Sequence, residues 1–363
     1  MIPMQMKRLF FFLAFTWIVS GGNAQKMDYA QEYRQLSDSI QRYFYKAGND
    51  FYKEQLPAAP NERQASYLWP LCALFEAYQV GGALNGDFKN FDHVATIIKK
   101  YHTDKSPAPG FASFPPVYGG GDRFYDDNQW IGITAMNQYG RTHDKTWLAL
   151  GAEIYNFMMT GADTVSGGGL YWQEGVKKTK NTCSNGPGIL LALQLYNATK
   201  DQKYLNTAMG LYTWVTTRLI SPEGLFYDNL RMKDGTIDTH LYSYNTGTML
   251  QAAIFLYEIT KDEKYLREAK KTANAAASYF LAEGKFRDNY WFNAVLLRAL
   301  EQLLQYDKNT WYLQLFQKAV NRAAAEKDIH GFWGAATTKN LVPQGGMLEI
   351  LGRLALLRKQ GVL

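Results

Sequence analysis

The sequence predicts an all-α protein folded as a single (α/α)6 toroid, and three observations carry that prediction. Apolar residues recur at helical spacing along most of the chain, while strand-type alternation is scarce. A short join between helices repeats as Thr142-His-Asp-Lys-Thr-Trp-Leu148, Thr199-Lys-Asp-Gln-Lys-Tyr-Leu205 and Thr260-Lys-Asp-Glu-Lys-Tyr-Leu266. Long segments containing glycine, proline and asparagine, at 103–125, 161–186 and 220–241, separate the hairpins that these joins close.

In each join the aspartate, Asp144, Asp201 or Asp262, is placed to cap the following helix, and the aromatic-leucine pair anchors its first turn. The copies are offset by 57 and 61 residues, too far apart for a tetratricopeptide unit of about 34 residues. A weaker copy follows at Asn309-Thr-Trp-Tyr-Leu313. About twelve helices in such hairpins can close as six inner and six outer helices; an open solenoid is the competing arrangement. Long loops recurring at the same place in each hairpin gather on one end of a closed ring and build a cleft there.

In chain order, residues 1–24 read as a secretory signal. Lys7 and Arg8 form a positive start, Leu9 to Val19 an apolar run, and Gly22-Asn23-Ala24 offers a small-residue cleavage site. That run is shorter than the roughly 20 residues that span a bilayer, and no cysteine follows it for lipidation. A periplasmic or extracellular product with no membrane anchor is expected, with residues 25–363 as one catalytic domain. Helices are predicted at 28–53, 65–82, 87–102, 127–141, 144–160 and 187–199. Six more follow at 202–219, 242–259, 262–282, 289–305, 309–326 and 343–359. The run from Ser243 to Ile254 is apolar or small nearly all round and suits an inner helix; Asp262 to Tyr279 carries charge on one face and suits an outer one.

Removing Lys7 and Arg8 with the signal lowers the net charge from +6 to +4. Basic residues are interspersed with acidic ones and form no dense patch, which argues against nucleic acid as a partner. Five scattered histidines and two cysteines, Cys72 and Cys183, make neither a metal cluster nor a disulfide framework. No nucleophile elbow or phosphate loop occurs, although glycines are tripled at 119–121 and 167–169. Neither metal nor cofactor is therefore expected.

The candidate chemistry lies at Asp126-Asp127, between a glycine-rich loop and a predicted inner helix. Adjacent carboxylates repel, so one should protonate more readily than its neighbour. A protonated acid beside an ionised carboxylate is what a glycosidase requires. The alternative is a pair of helix-capping acids. Aromatic residues near loop glycines, Tyr118, Tyr125, Tyr171 and Trp172, are candidate faces for sugar rings or else loop anchors. Polar and aromatic residues at helix starts, Asn185, Tyr244, Asn245, Asp288 and Trp291, are candidates for the same cleft, with capping as their other reading. Trp130, one turn beyond the aspartates, either supports them from the core or faces a sugar.

The run Tyr-Asp-Asp-Asn-Gln-Trp at 125–130 in a helical toroid resembles glycoside hydrolase family 76, the endo-α-1,6-mannanases. Gly167-Gly-Gly-Leu-Tyr-Trp172, Asn181-Thr-Cys-Ser-Asn185 and Tyr244-Asn-Thr-Gly247 look like further landmarks in the family's order. After Phe286 the chain departs from it, with Arg287-Asp288-Asn289 in place of a lysine-glycine pair. The resemblance implies retaining hydrolysis of α-1,6-mannan or its oligosaccharides, with Asp126 as nucleophile and Asp127 as general acid/base; a monomer is expected. A non-catalytic glycan-binding protein and another toroidal carbohydrate-active enzyme, such as a uronyl hydrolase, are the alternatives.

Overall fold

The computed structural model describes residues 27–363, so the segment read as a signal, 1–24, lies outside the described residues. Among them no helix is long and apolar enough to cross a membrane. Six helices are buried over most of their surface: α2 (Leu68–Asn85), α4 (Tyr125–Thr142), α6 (Thr182–Thr199), α8 (Ser243–Thr260), α10 (Tyr290–Leu303) and α12 (Leu341–Lys359). Each touches the next, and α12 closes back on α2, so they form a ring. The other six bury a narrower face and lie outside: α1 (Tyr29–Tyr43), α3 (Lys89–Lys99), α5 (Lys145–Met159), α7 (Gln202–Arg218), α9 (Glu263–Phe280) and α11 (Trp311–Ala324). This is the (α/α)6 toroid that the sequence predicts.

The repeated joins work as their sequence suggests. His143, Lys200 and Lys261 end the inner helices in the left-handed conformation. Asp144, Asp201 and Asp262 then accept the backbone N–H two residues on, at 2.9–3.0 Å. The preceding threonines complete the turn: the hydroxyl oxygens of Thr142, Thr199 and Thr260 each accept the aspartate N–H at 3.2 Å. Inner helices also approach closely. A Cβ on Gly346 would lie 2.2 Å from the Trp291 backbone nitrogen, and one on Gly247 2.8 Å from Leu296 Cα.

Three expectations need correction. The helix predicted over 28–53 ends at Tyr43, and the chain turns into a small hairpin pairing Tyr45–Lys46 with Phe51–Tyr52. Asp50 sits there at φ 55°, a conformation no helix holds, and its carboxylate receives Lys100 and His93 from α3. Secondly, the long loops 161–186 and 220–241 are not irregular. They contribute a four-stranded antiparallel sheet, Tyr171–Gln173, Val176–Asn181, Tyr227–Arg231 and Ile237–Leu241, over one mouth of the ring. α6 also starts five residues before its predicted residue 187, with Pro187 inside it.

The rim is fastened by a device that recurs at the fourth residue of the inner helices. Asn128 pairs its side-chain amide with both backbone groups of Phe111, at 2.7 and 2.9 Å. Asn185 does so with Leu170 at 2.8 and 3.1 Å, and Gln344 with Trp333 at 2.9 Å for each bond. Thr246 accepts from the Phe226 N–H, and Asn293 donates to the Asp288 carbonyl. Loop backbone buried over the ring thereby finds the partners that burial demands. Deeper in the ring, Arg298 grips Glu349 through two bonds of 2.6 and 2.7 Å, and Arg353 joins Glu349, Glu301 and Glu76 at 2.7–2.8 Å.

Two outcomes follow for stability. Glu349→Ala leaves Arg298 and Arg353 without their shared carboxylate and should cost about 3–5 kcal/mol in urea unfolding; a loss below about 1 kcal/mol would make the network ornamental. Asn185→Ala should cost about 1–3 kcal/mol by stranding Leu170's backbone groups, and amide exchange should rise in the loop 163–173. Unchanged exchange there would contradict the clamp.

Candidate active site

The mouth under the sheet holds a cleft of about 720 Å3. Because the inner helices start here, their unpaired N–H groups and positive dipole ends converge on it. Asp126 and Asp127, in the first turn of α4, lie on its floor, open to the cleft and enclosed by protein elsewhere. Asp126 Oδ1 accepts the Asp127 N–H at 3.0 Å, and Oδ2 accepts the indole N–H of Trp172 at 3.0 Å. Neither carboxylate forms an ion pair with a lysine or arginine among the described residues.

Burial pushes Asp126 up to about 6, while bonds from Cys183, Trp172 and the Asp127 backbone pull it back down. Asp127 is driven well above the usual carboxylate range by burial and then by the charge of Asp126. The pair therefore titrates unequally, with Asp127 holding its proton to the higher pH. Cys183 lines the cleft as a buried thiol, with its own proton retained because burial raises it strongly. It belongs to α6 rather than to the loop its sequence suggests, and both cysteines are free.

Of the residues singled out in sequence, Asp126, Asp127, Trp130, Trp172, Tyr244 and Trp291 line this cleft. Trp172 is 41% exposed and leans on Phe124 at 4.9 Å. Trp130 and Trp291 meet edge to face at 5.2 Å and make the floor, with the Arg298 guanidinium 5.4 Å from the Trp130 ring. Tyr244 stacks on Phe292 at 4.0 Å.

The remaining candidates are not among the residues lining the cleft. Asn185 is fully buried as a loop clamp, and buried Asn245 reaches toward Asp228 at 3.4 Å. Asp288 accepts the Ser243 N–H at 2.6 Å and so fixes the start of α8. Tyr125 bonds Thr160 and packs on Phe157, while Tyr171 bonds Asp163 beneath the sheet. Tyr118 lies off the cleft, against Phe51 and Phe114.

Sequence reasoning missed Trp69, Tyr67, Tyr242 and Phe292, which supply much of the aromatic wall. Trp69 is 36% exposed and sits in the first turn of α2, within a run apolar enough to read as core throughout. Its place in an inner-helix first turn, matching that of Asp126, was the available signal. Asp228 also lines the cleft, its carboxyl raised by burial.

Comparison with known proteins agrees with this architecture. The family model described as glycosyl hydrolase family 76 matches residues 35–338. A GH76 alpha-mannanase of Bacteroides thetaiotaomicron superposes with a TM-score of 0.84 and 25% identity, covering 93% of this chain and 98% of its own. An inactive alpha-1,6-mannanase variant from a Salegentibacter species, with two consecutive aspartates changed to asparagine and alpha-1,6-mannotriose bound, superposes with a TM-score of 0.76. Its identity is 21%, over 91% of this chain and all of that one, which speaks for the fold. The mannan endo-1,6-alpha-mannosidase DCW1 of Saccharomyces cerevisiae is 29% identical over 171 residues, 43% of this chain. The match spans only 38% of that yeast protein's length. With the family model covering most of its length, the chain belongs to glycosyl hydrolase family 76.

Proposed function

We propose that the chain is a retaining endo-α-1,6-mannanase in which Asp126 is the nucleophile and Asp127 the general acid/base. The observation that carries this is an adjacent carboxylate pair, unequally hydrogen-bonded, on the floor of an aromatic-walled cleft. Support also comes from the Salegentibacter neighbour, inactive when two consecutive aspartates are replaced. Asp126-Asp127 is the single pair of consecutive aspartates in this sequence.

In the first step the Asp126 carboxylate attacks the mannose C1. The C1–O6 bond breaks, and Asp127 gives its proton to the departing O6. In the second, the Asp127 carboxylate takes a proton from water, whose oxygen attacks C1 and releases the Asp126 carboxylate. Two displacements at one carbon return the α configuration. The aromatic walls offer faces to the sugar rings, while Asp228 and Asn181 offer polar groups to the hydroxyls. All these groups come from one chain, which suits a monomer. Export by the segment 1–24 would bring the enzyme to polymeric mannan outside the cytoplasm. Recovery of a protein beginning at Gln25 from the periplasm or medium checks that part.

Debranched yeast mannan should yield a ladder of α-1,6-mannooligosaccharides, whereas release of mannose alone, or of nothing, would reject the reading. Asp126→Ala should abolish turnover. Asp127→Ala should lose about 10²–10⁴-fold on mannan but less on substrates with good leaving groups, and azide should restore turnover as a glycosyl azide. Near-wild-type rates in both folded variants would return the pair to a capping role.

The pH profile of kcat/KM should be bell-shaped. Asp126 must be ionised, so activity falls as the pH drops through about 6. Asp127 must be protonated, so activity falls again as the pH rises through its elevated value. A profile rising monotonically into alkali would contradict this assignment.

A further inference from the structure

We propose that Trp172 is a positioning residue: its indole N–H selects Asp126 as the carboxylate that stays ionised, while the face of the same ring remains open to a sugar. The inference rests on the roles assigned to the two aspartates above.

The strand carrying Trp172 is pinned on both sides of it. Leu170 is clamped by Asn185, and the Tyr171 N–H donates to the Gly161 carbonyl at 3.0 Å. Beyond it, Gln173 bridges to Phe124, and the Glu174 N–H donates to the Arg123 carbonyl at 3.0 Å. The buried Arg123 guanidinium also holds the Glu174 carboxylate, through Nε at 2.8 Å and again through a second nitrogen. Within this fixed run Trp172 alone turns into the cleft, where it meets Asp126 Oδ2.

That contact separates two otherwise similar carboxylates. Both lie in the first turn of α4 and share its dipole. Asp126 accepts from the Cys183 thiol, the indole and the Asp127 N–H, whereas the Asp127 carboxylate has no donor among the described residues. A hydrogen bond to the charged form favours ionisation. The bond is charge-assisted and reaches a site that a bound saccharide would shield from water, which strengthens it. A sugar seated on the ring would thus restrain the group that orients the nucleophile. The titratable groups around Asp126 are Asp127 on its own helix, Cys72 on α2, Cys183 on α6 and Tyr244 on α8, with Asp228 beyond them. None of these is a cation, so nothing else in the set substitutes for the lost donor by charge.

Trp172→Phe keeps an aromatic face and removes the N–H. In that variant, KM for α-1,6-mannooligosaccharides should stay within about twofold while kcat falls about 10–100-fold, the scale of one hydrogen bond to a charged group. The acid limb of kcat/KM should move up by about one pH unit, because Asp126 loses a donor to its charged form. Trp172→Ala should show the same losses and a raised KM besides. Replacement of Trp172 by benzothienylalanine, which keeps the fused ring and lacks the N–H, separates the bond from any packing change should Trp172→Phe fold poorly. Unchanged kcat and acid limb in the folded N–H-free variants overturn the proposal, whatever KM does. Activity retained by Asp126→Asn would instead overturn the catalytic assignment on which it rests.

Discussion

Two carboxylates held side by side, with no cation paired to either, set the terms for the rest of this cleft. Ionised together they would repel at close range in a site largely shut off from water. The protein meets this by distributing neutral donors unevenly: a backbone N–H, an indole N–H and the Cys183 thiol go to Asp126, and among the described residues none to Asp127. An arginine in the same place would lower both groups and leave no proton for the acid step. The Arg298 guanidinium, beside the Trp130 ring, is instead committed to Glu349.

Neutral donors act only at short range, so their position must be fixed. The amide clamps do this. Asn128 ties the start of α4 to Phe111, and Asn185 ties α6 to the loop that delivers Trp172. The two helix starts and the sheet between them thereby hold a common geometry. The other end of the ring carries a charged network of its own. The half away from the cleft holds a cavity of about 390 Å3, along which Arg298, Arg353 and their glutamates bind one another.

The toroid was legible because its joins are local. Asp144, Asp201 and Asp262 each cap within a few residues, so capping chemistry and a repeat identify them without tertiary information. Asp126-Asp127 was legible because adjacent like charges at a helix start stand out. The sheet was not, since its strands are short and the two local hairpins become one sheet only where Val176–Asn181 pairs with Tyr227–Arg231, far along the chain. Asn185 and Trp172 were each recognised but their tasks were obscured. A buried asparagine that clamps a loop and one that binds a hydroxyl look alike in sequence. The indole bond to Asp126 crosses 46 residues, beyond the reach of any local pattern.

The division of labour between neighbouring aspartates is the central claim, and the residue that carries the sugar tests it most directly. The protein would be treated with a 2-deoxy-2-fluoro-mannosyl donor, which slows release of a covalent intermediate, then digested and mapped by mass spectrometry. The account predicts one added fluoromannosyl group on Asp126, lost in Asp126→Asn. A label on Asp127, or turnover through a product of inverted configuration with no labelled peptide, would contradict it.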